Sequence, residues 1–459
     1  MPFTSDRPPE PASLRTLLAA REGLRLEAPA VRLDTRELLS TTIFGGRRRD
    51  FSRKSALIAV KAQIDCARAL IELDGIAARL VISPPDFSKE KLESALAQAE
   101  VDVVIADDPE PTHLRPVIIP GAPIPSPVDT APSLKTQWVM PTSGTTGAPK
   151  LVAHSLATLL GPATAAPLGP APVWATFYDI RRYGGLQIFL RACACGAPLV
   201  LSDPDEAQGD FLARAQAAGV THISGTPSHW RRLLMSPEAR LIDPAYIRLS
   251  GEIADRAILS ALRGAFPRAK IVHAYASTEA GVGFEVHDER EGFPAALLDG
   301  SGPVEMRLQD GSLRIRSPRT ARRYVGRPEL ALCDAEGFVD TGDIVEKIGD
   351  RCFFRGRRAG IINVGGLKAH PEEIEEVINA HPQVRMCRVS GRRNPITGGL
   401  VIAEVVLDDA GAGREKEALQ GEIMQLCRDR LARHKTPATI RFVPQLDMLA
   451  SGKMARRHA

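Results

Sequence analysis

The stretch Pro141-Thr-Ser-Gly-Thr-Thr-Gly-Ala-Pro-Lys150 decides how the rest of the chain is interpreted. It directly follows a strand-like run, Gln137 to Met140, and combines two glycines, four hydroxyl side chains and a lysine. Glycines let the backbone approach an anion closely, hydroxyls can bond phosphate oxygens, and the lysine adds a point charge. The spacing Gly-x-x-x-x-Gly-Lys is absent, so this is not a Walker A loop. The pattern predicts a phosphate-binding loop.

Around this loop, short apolar runs alternate with amphipathic stretches from about residue 55 to residue 280. Helix-like segments are 55–73, 88–100 and 254–266, and strand-like segments are 78–83, 101–106, 197–202, 220–224 and 270–275. Residues 116–132 are rich in proline and indicate an extended connector. The alternation predicts parallel sheets covered by helices, with binding sites at the carboxyl ends of the strands.

The composition changes after about residue 283. Residues 300–355 form short β-type segments separated by glycine turns, which predicts a mainly antiparallel β subdomain. Helix-like segments at 371–380 and 413–434 and strand-like segments at 400–407 and 439–443 follow, and they predict a compact α+β module. The predicted fold class is α/β: a large N-terminal domain of parallel sheets flanked by helices, with a β subdomain, followed by a small α+β C-terminal domain. We place the boundary so that the domains are residues 1–357 and 358–459.

The composition excludes several classes of protein. The 459 residues are 44% hydrophobic and 25% charged with a net charge of +4, and only 5% are aromatic, so no nucleic-acid partner is expected. Seven scattered cysteines favour a reduced protein without disulfides or a zinc site. The first residues lack the apolar core of a signal peptide, and no uninterrupted apolar run reaches about 18 residues. We therefore expect a cytoplasmic protein without a membrane span.

Five segments together carry a family resemblance. They are the loop 141–150, Tyr275-Ala-Ser-Thr-Glu279, Thr341-Gly-Asp343, Gly356-Arg-Arg-Ala-Gly-Ile-Ile-Asn-Val-Gly-Gly366 and Ser451-Gly-Lys453. In this order they resemble the adenylate-forming superfamily of acyl- and aryl-CoA synthetases, carrier-protein adenylation domains and luciferases, and the resemblance covers nearly the whole chain. It implies an AMP-forming acyl-CoA synthetase that uses ATP and Mg²⁺ to convert a carboxylic acid into an acyl-adenylate. Coenzyme A is then the expected acceptor of the acyl group.

The resemblance also implies roles for single residues. Glu279 is similar to the family's Mg²⁺ ligand, a hard oxygen donor that suits this cation. Thr278 would bond the α-phosphate and Tyr275 would lie near the adenine. Asp343 resembles the carboxylate that accepts both ribose hydroxyls, with Arg357 also at the ribose.

Lys453 resembles the lysine that bridges the acid's carboxylate and the α-phosphate, where a cation offsets the charge that builds up on phosphoryl oxygen. The implied catalytic residues are Lys453, Glu279, Thr145 and Lys150. The implied cofactor-binding residues are Thr142, Ser143, Gly144, Thr145, Thr146, Gly147, Lys150, Gly251, Glu252, Ala274, Tyr275, Thr278, Asp343, Arg357, Gly365 and Gly366. Positions matched to the acid pocket are Tyr178, Asp179, Tyr183, Gly184, Ser250 and Gly281.

Members of the family use two orientations of a mobile C-terminal domain, one for adenylation and one for thioester formation. Gly365 and Gly366 lie where the second would admit pantetheine, whereas Ala359 replaces the family's hinge aspartate. Asp179 could hold an amino group, or Arg181 or Arg182 a second acidic group of the substrate. Two alternatives therefore stay open: transfer to the phosphopantetheine of a carrier protein, and a non-catalytic nucleotide-binding protein.

Overall fold

The computed structural model describes residues 11–108, 115–126, 134–142, 148–161, 171–300, 302–394, 398–449 and 452–454. The chain divides into two compact units. The first unit comprises Met1–Val220, Thr278–Gly281 and Pro318–Leu332, and the second comprises Thr221–Ser277, Val282–Ser317 and Cys333–Ala459. The second unit contains chain on both sides of residue 357, so the domain boundary predicted there stays a prediction.

The described residues form α-helices distributed along the whole chain. In chain order they are α1 Leu14–Ala19, α2 Thr35–Ser40, α3 Gln63–Leu73, α4 Lys89–Gln98, α5 Leu156–Leu160, α6 Tyr183–Cys195, α7 Gln208–Ala217, α8 Pro227–Leu234, α9 Arg256–Ala265, α10 Pro371–Asn379, α11 Asp409–Ala412 and α12 Lys416–Arg430. Short 3₁₀ helices occur at Arg47–Phe51, Pro237–Leu241, Ala295–Asp299, Arg358–Gly360 and Arg433–Lys435.

The strands of the described residues are mostly short. They are β1 Arg25–Ala28, β2 Val31–Asp34, β3 Thr41–Thr42, β4 Ser55–Ala59, β5 Arg79–Ile82, β6 Val103–Ala106, β7 Val117–Ile118, β8 Ile124–Pro125, β9 Gln137–Pro141, β10 Leu151–Ser155, β11 Trp174–Thr176, β12 Leu199–Val200, β13 His222–Gly225, β14 Tyr246–Ser250, β15 Lys270–Ser277, β16 Gly281–Val286, β17 Phe293–Pro294, β18 Glu305–Gln309, β19 Ser312–Arg316, β20 Arg323–Val325, β21 Val339–Ile348, β22 Arg351–Arg357, β23 Ile362–Val364, β24 Leu367–Ala369, β25 Val384–Asn394, β26 Gly398–Leu407 and β27 Thr439–Phe442.

The first unit is built on a seven-stranded sheet in the order β20-β10-β9-β5-β4-β6-β7. Neighbouring strands in the run β9-β5-β4-β6-β7 are parallel. Strand β10 pairs antiparallel with both β9 and β20. Apolar side chains of this sheet pack on α4 in one buried cluster. Strands β11, β12 and β1 of the unit pair in parallel in a second sheet. The alternation of strands and helices therefore produces the predicted parallel sheets.

The second unit contains three kinds of sheet. Strands β13, β14 and β15 are parallel, whereas β17-β22-β21-β19-β18 form an antiparallel sheet that confirms the predicted β subdomain. Strands β25-β26-β27 pack with α10 and α12 around an apolar core. Helix α10 starts with Pro371, whose fixed φ suits a first helical turn. The predicted α+β module and the α/β fold class are confirmed.

One predicted element is wrong in part. Residues 55–73 were expected to be one helix, but Ser55–Ala59 is strand β4 and only Gln63–Leu73 is helical. Strand β4 lies inside the sheet between β5 and β6, and its first four residues, which alternate between the two faces, are all buried, so both faces are covered. A strand buried on both faces has a continuous apolar run, which lacks the alternation that would distinguish it from a buried helix.

The expectation of a reduced protein without disulfides or a zinc site stays a prediction. All seven cysteines are unpaired thiols. Burial raises the pKa of the Cys66 thiol to about 12, so this group stays protonated near neutral pH. No helix among the described residues is long and apolar enough to cross a membrane.

Candidate active site

The predicted phosphate-binding loop connects the antiparallel strands β9 and β10. Pro141 pairs with Leu151, and the amide of Thr142 donates a hydrogen bond of 2.9 Å to the carbonyl of Lys150. The ends of the loop are therefore fixed by the sheet. The exposed ammonium of Lys150 lies 5.7 Å from the ring centre of Tyr324. Ser143, Gly144, Thr145, Thr146 and Gly147 lie outside the described residues, so their phosphate contacts stay predictions.

A buried histidine that the sequence analysis missed holds the segment with the predicted metal ligand. His154 in β10 is fully buried, and its Nε2 lies 2.7 Å from the carbonyl oxygen of Thr278. Its Nδ1 lies 3.0 Å from the hydroxyl of Thr158. Burial lowers the pKa of His154 to about 4, so the ring is neutral and donates through Nε2 to the carbonyl. This bond orients the backbone immediately before Glu279.

Glu279 itself is half-buried, and its carbonyl accepts a 2.9 Å hydrogen bond from the amide of Ala321. The described residues contain no group of three or more acidic, histidine or cysteine side chains that would form a metal cage. A single carboxylate fits Mg²⁺ that arrives with a nucleotide, because this ion keeps several waters and takes its other ligands from phosphates. The donor chemistry at Glu279 is therefore compatible with the predicted role.

Several positions matched to the acid pocket lie in the first unit, and their role in binding the acid stays a prediction. Tyr178 and Tyr183 are both buried. A Cβ built on Gly184 would lie 3.5 Å from the ring of Tyr178, in van der Waals contact. Because position 184 is glycine, no side chain of this residue contacts the ring. Gly281 has a φ of +78°, and a Cβ there would lie 2.6 Å from the carbonyl oxygen of Arg319. Only glycine fits this close approach.

Asp179 and Arg181, two candidates for recognising a polar substrate, instead bind each other. The carboxylate of Asp179 accepts bonds of 2.8 Å and 2.5 Å from Nε and Nη2 of Arg181. Nη1 of Arg181 donates to the carbonyl oxygens of Val60 and Lys61, and the side chain has no exposed surface. Arg182 pairs with Asp86. All three nitrogens of the Arg181 guanidinium therefore donate to protein acceptors, and the pair ties the loop before α6 to the segment after β4.

The predicted ribose and adenine residues form a cluster in the second unit. The hydroxyl of Tyr275 donates to Oδ2 of Asp343 at 2.5 Å, and Nε of Arg357 donates to Oδ1 at 3.1 Å. Asp343 in β21 and Arg357 in β22 are register partners in the antiparallel sheet. Burial, reinforced by the charge of Asp343, raises the pKa of Tyr275 well above its usual value, so the hydroxyl stays a donor.

The ring of Tyr275 is stacked with Phe284 and Phe354 at centroid distances of 5.6 Å and 5.3 Å. These two phenylalanine rings are only 6.5 Å apart. Rings stacked on opposite faces of Tyr275 at contact distances of about 3.5 Å would be separated by at least about 7 Å. The phenylalanines therefore do not sandwich the tyrosine ring, and the predicted place of Tyr275 beside the adenine stays a prediction.

Lys453 and Gly251, which are 202 positions apart in the sequence, lie against each other in the second unit. A Cβ built on Gly251 would lie 3.2 Å from Cε and 3.7 Å from Nζ of Lys453. Gly251 has a φ of +89°, which favours glycine for the backbone as well. It directly follows Ser250 at the end of β14, and Ser250 pairs with Ala274 of β15. The lysine therefore lies at the carboxyl end of these parallel strands, where the sequence predicts a binding site.

Glu252 contacts two backbone amides of the same unit. Its Oε2 accepts a 2.9 Å bond from Ser228, and its Oε1 accepts a 3.0 Å bond from Met454. Glu252 thus binds the backbone amide of Met454, the residue that follows Lys453. Its predicted role in cofactor binding stays a prediction.

Gly365 and Gly366 form the two-residue turn of the hairpin β23-β24, in which Val364 pairs with Leu367. Their φ values of +60° and +85° are those of a type I′ turn, so local geometry already favours glycine at both positions. A Cβ on either would meet no atom within 4 Å. The predicted pantetheine channel at this turn stays a prediction, as does the effect of Ala359 in the 3₁₀ helix before it.

Comparisons with known proteins agree with this arrangement. Residues 73–325 match the family described as AMP-binding enzyme, and residues 373–453 match the AMP-binding enzyme C-terminal domain. The 2-succinylbenzoate–CoA ligase of Geobacillus kaustophilus is 30% identical over 70% of this chain and 68% of that protein. The 2-succinylbenzoate–CoA ligase of Bacillus velezensis is 26% identical over 87% of this chain and 81% of that protein.

A solved structure has the same fold. The o-succinylbenzoate CoA synthetase of Bacillus subtilis, in complex with its acyl-adenylate intermediate, matches with a TM-score of 0.75 and 20% identity, over 95% of this chain and 96% of that chain. The family match spans more than half of the chain and includes the strand of Tyr275 and the segment of Glu279. The chain therefore belongs to the AMP-binding enzyme family, within the adenylate-forming superfamily.

Proposed function

We propose that the protein is an AMP-forming ligase that activates a carboxylic acid with ATP and Mg²⁺ and transfers the acyl group to coenzyme A. The observation that carries this proposal is the placement of Lys453 against Gly251, at the carboxyl end of β14. Family membership and relatives named as CoA ligases support the same activity.

In the first half-reaction, an oxygen of the acid's carboxylate attacks the α-phosphorus of ATP. The bond from that phosphorus to the bridging oxygen breaks, and pyrophosphate leaves with the electron pair. Two anions meet in this step, so a fixed cation is needed where charge develops on the phosphoryl oxygens. Lys453 supplies that cation in the proposal, and Lys150 balances the charge of the leaving phosphates.

ATP is bound through three further sets of residues in the proposal. Asp343, oriented by Tyr275 and Arg357, accepts the ribose hydroxyls, and the ring of Tyr275 lies beside the adenine. Thr278 and the loop 142–147 hold the phosphates. Glu279 would hold Mg²⁺, which neutralises charge on the phosphates when it is bound. His154 keeps the backbone of Thr278 in place through its Nε2–H bond.

In the second half-reaction, the thiolate of coenzyme A attacks the carbonyl carbon of the acyl-adenylate. The bond between that carbon and the phosphate oxygen breaks, AMP leaves, and a thioester remains. The family resemblance implies that the hairpin turn at Gly365 and Gly366 would border the thiol's path, and neither position carries a side chain that would narrow it.

The alternative acceptor is the phosphopantetheine of a carrier protein. Its motivation is Asp179 as the partner of a substrate amino group, together with the altered hinge at Ala359. Because that carboxylate is engaged by the fully buried Arg181, the contact observed at this position favours a structural role. The non-catalytic alternative is disfavoured by the intact cluster of Tyr275, Asp343 and Arg357.

Because the relatives are named 2-succinylbenzoate–CoA ligases, 2-succinylbenzoate is the first acid to test, followed by other aryl, fatty and amino acids. The experiment measures pyrophosphate release from the purified protein with ATP and Mg²⁺ for each acid. Thioester products are then identified by mass spectrometry with free coenzyme A and, separately, with a holo carrier protein. Release with one class of acid and an acyl-CoA product supports the proposal. Thioester only on the carrier protein selects the alternative, and ATP binding without release for any acid contradicts both.

The domain boundary at residues 357 and 358 and the mobility of the C-terminal domain are part of the same proposal. So is a cytoplasmic location, where ATP and coenzyme A are available and where the seven unpaired cysteines stay reduced.

A further inference from the structure

The residues on either side of Lys453 are bound by a set of contacts within the second unit. We call Gly452, Lys453 and Met454 the lysine strap. The carbonyl of Gly452 accepts a 2.6 Å hydrogen bond from the buried hydroxyl of Thr226, and the amide of Met454 donates a 3.0 Å bond to Glu252. The lysine is therefore held through its backbone neighbours on both sides, which are fixed from two different places in the fold.

Thr226 is oriented by the start of helix α8. Its Oγ1 accepts the amide of His229 at 3.0 Å, and its own amide donates to Nδ1 of His229 at 3.1 Å. Burial lowers the pKa of His229 to about 3, so the ring is neutral and its Nδ1 is an acceptor. Nδ1 takes the Thr226 amide, which leaves the single hydroxyl proton of Thr226 for the carbonyl of Gly452. Thr226, the N-cap residue of α8, thus also binds the strap.

The imidazole ring of His229 lies directly against the backbone of Gly452. A Cβ built on Gly452 would lie 1.7 Å from Cε1 and 1.9 Å from Nε2 of the ring. Gly452 also has a φ of +69°. The backbone of the strap therefore lies directly on the ring, and no residue other than glycine can occupy that position while the strap is bound.

Glu252 connects the strap to the same helix. One of its carboxylate oxygens accepts from Ser228 in the first turn of α8, and the other accepts from Met454. The partial positive charge at a helix N-terminus favours a carboxylate there, so the same side chain is bound to the helix and to the strap. We call Thr226, His229 and Glu252 the strap seat.

We propose that the strap seat positions Lys453 for adenylation, so that Glu252 is a positioning residue of the first half-reaction. This inference rests on the proposed function. In the family's second orientation Lys453 withdraws, so the seat has to release the strap before thioester formation. Weakening the seat therefore slows adenylation relative to thioester formation, whereas loss of a catalytic group common to both steps slows both.

The first test needs no substrate. Hydrogen–deuterium exchange of the intact chain is compared between the wild type, Glu252→Gln and Glu417→Gln, the same change at an exposed glutamate of α12. A glutamine can accept only one of the two amides and turns its own NH₂ toward the other. We expect exchange of the peptide containing Met454 to become roughly tenfold faster in Glu252→Gln and to stay at the wild-type rate in Glu417→Gln. Wild-type protection of this peptide in Glu252→Gln overturns the proposal.

The second test separates the half-reactions. Gly452→Ala places a methyl group on the imidazole, and Gly421→Ala makes the same change in α12 where a Cβ meets no atom within 4 Å. Pyrophosphate exchange measures adenylation, and reaction of the synthetic acyl-adenylate with coenzyme A measures thioester formation. We expect the ratio of the two rates to fall at least tenfold in Gly452→Ala and in Glu252→Gln, with Gly421→Ala at the wild-type ratio. Equal slowing of both steps overturns the positioning role.

The two tests keep this inference apart from the proposed function. A wild type without pyrophosphate exchange for any acid contradicts the proposed function, and the exchange of the Met454 peptide still decides whether the seat holds the strap.

Discussion

Replacing His154 with glutamine should remove a pH-dependent part of the protein's stability. The ring is fully buried between Thr278 and Thr158, and burial lowers its pKa from 6.5 to about 4. Between these two pH values the unfolded chain binds a proton that the folded chain does not. The contribution of His154 to the free energy of unfolding is therefore fully present above pH 6.5 and is lost as the pH falls toward 4.

The size of the effect follows from the two pKa values. Going from pH 7 to pH 5, linkage predicts that the titration of His154 lowers the free energy of unfolding by about 2 kcal/mol. The amide of glutamine can still donate to the Thr278 carbonyl but does not titrate. The stability difference between the wild type and His154→Gln should therefore shift by about 2 kcal/mol in favour of the variant over this range.

Urea unfolding followed by tryptophan fluorescence measures this difference, because Trp138 pairs with His154 across strands β9 and β10. The same substitution at the exposed His287 controls for the chemical change. A difference between the wild type and His154→Gln that is the same at pH 7 and pH 5 would refute the reasoning, since it would mean that the buried ring accepts a proton as readily as it does in the unfolded chain.

Two further substitutions test the roles assigned to polar contacts. Tyr275→Phe keeps the ring stack but removes the 2.5 Å bond to Asp343, so we expect the Kd for ATP, measured by calorimetry, to rise roughly tenfold; an unchanged Kd would contradict the role of this bond at the ribose. Asp179→Asn leaves the buried guanidinium of Arg181 without its counter-charge, so thermal unfolding should show a loss of roughly 3 to 5 kcal/mol. A variant of wild-type stability with a raised KM for the acid would instead make Asp179 a substrate-binding residue.

Much of the fold could be predicted because its signals are local. The helix 88–100 and the strand 270–275 have the expected periodicity, and the structure has α4 at Lys89–Gln98 and β15 at Lys270–Ser277. Strand β4 was mistaken for the start of a helix because an apolar run that is buried on both faces has no period of its own.

Site residues that lie in short motifs could be named from the sequence, whereas contacts between distant segments could not. Gly251 was matched by position, and its backbone conformation and the approach of Lys453 explain the glycine. The seat residues Thr226 and His229 were missed because their contact with Gly452 spans more than 220 positions. Asp179 was considered a substrate residue because the sequence does not show that Arg181, two positions later, folds back onto it.

Pyrophosphate exchange by the wild type and by Lys453→Ala tests the central claim most directly. Lys416→Ala, a change at an exposed lysine of α12, is the matched control. With the acid that the wild type accepts, we predict that Lys453→Ala loses at least a hundredfold in rate, since removing such a donor costs about 3 kcal/mol or more in the transition state. We predict that Lys416→Ala keeps the wild-type rate. Exchange by Lys453→Ala at the wild-type rate would contradict the account, because the lysine held against Gly251 would then have no part in adenylation.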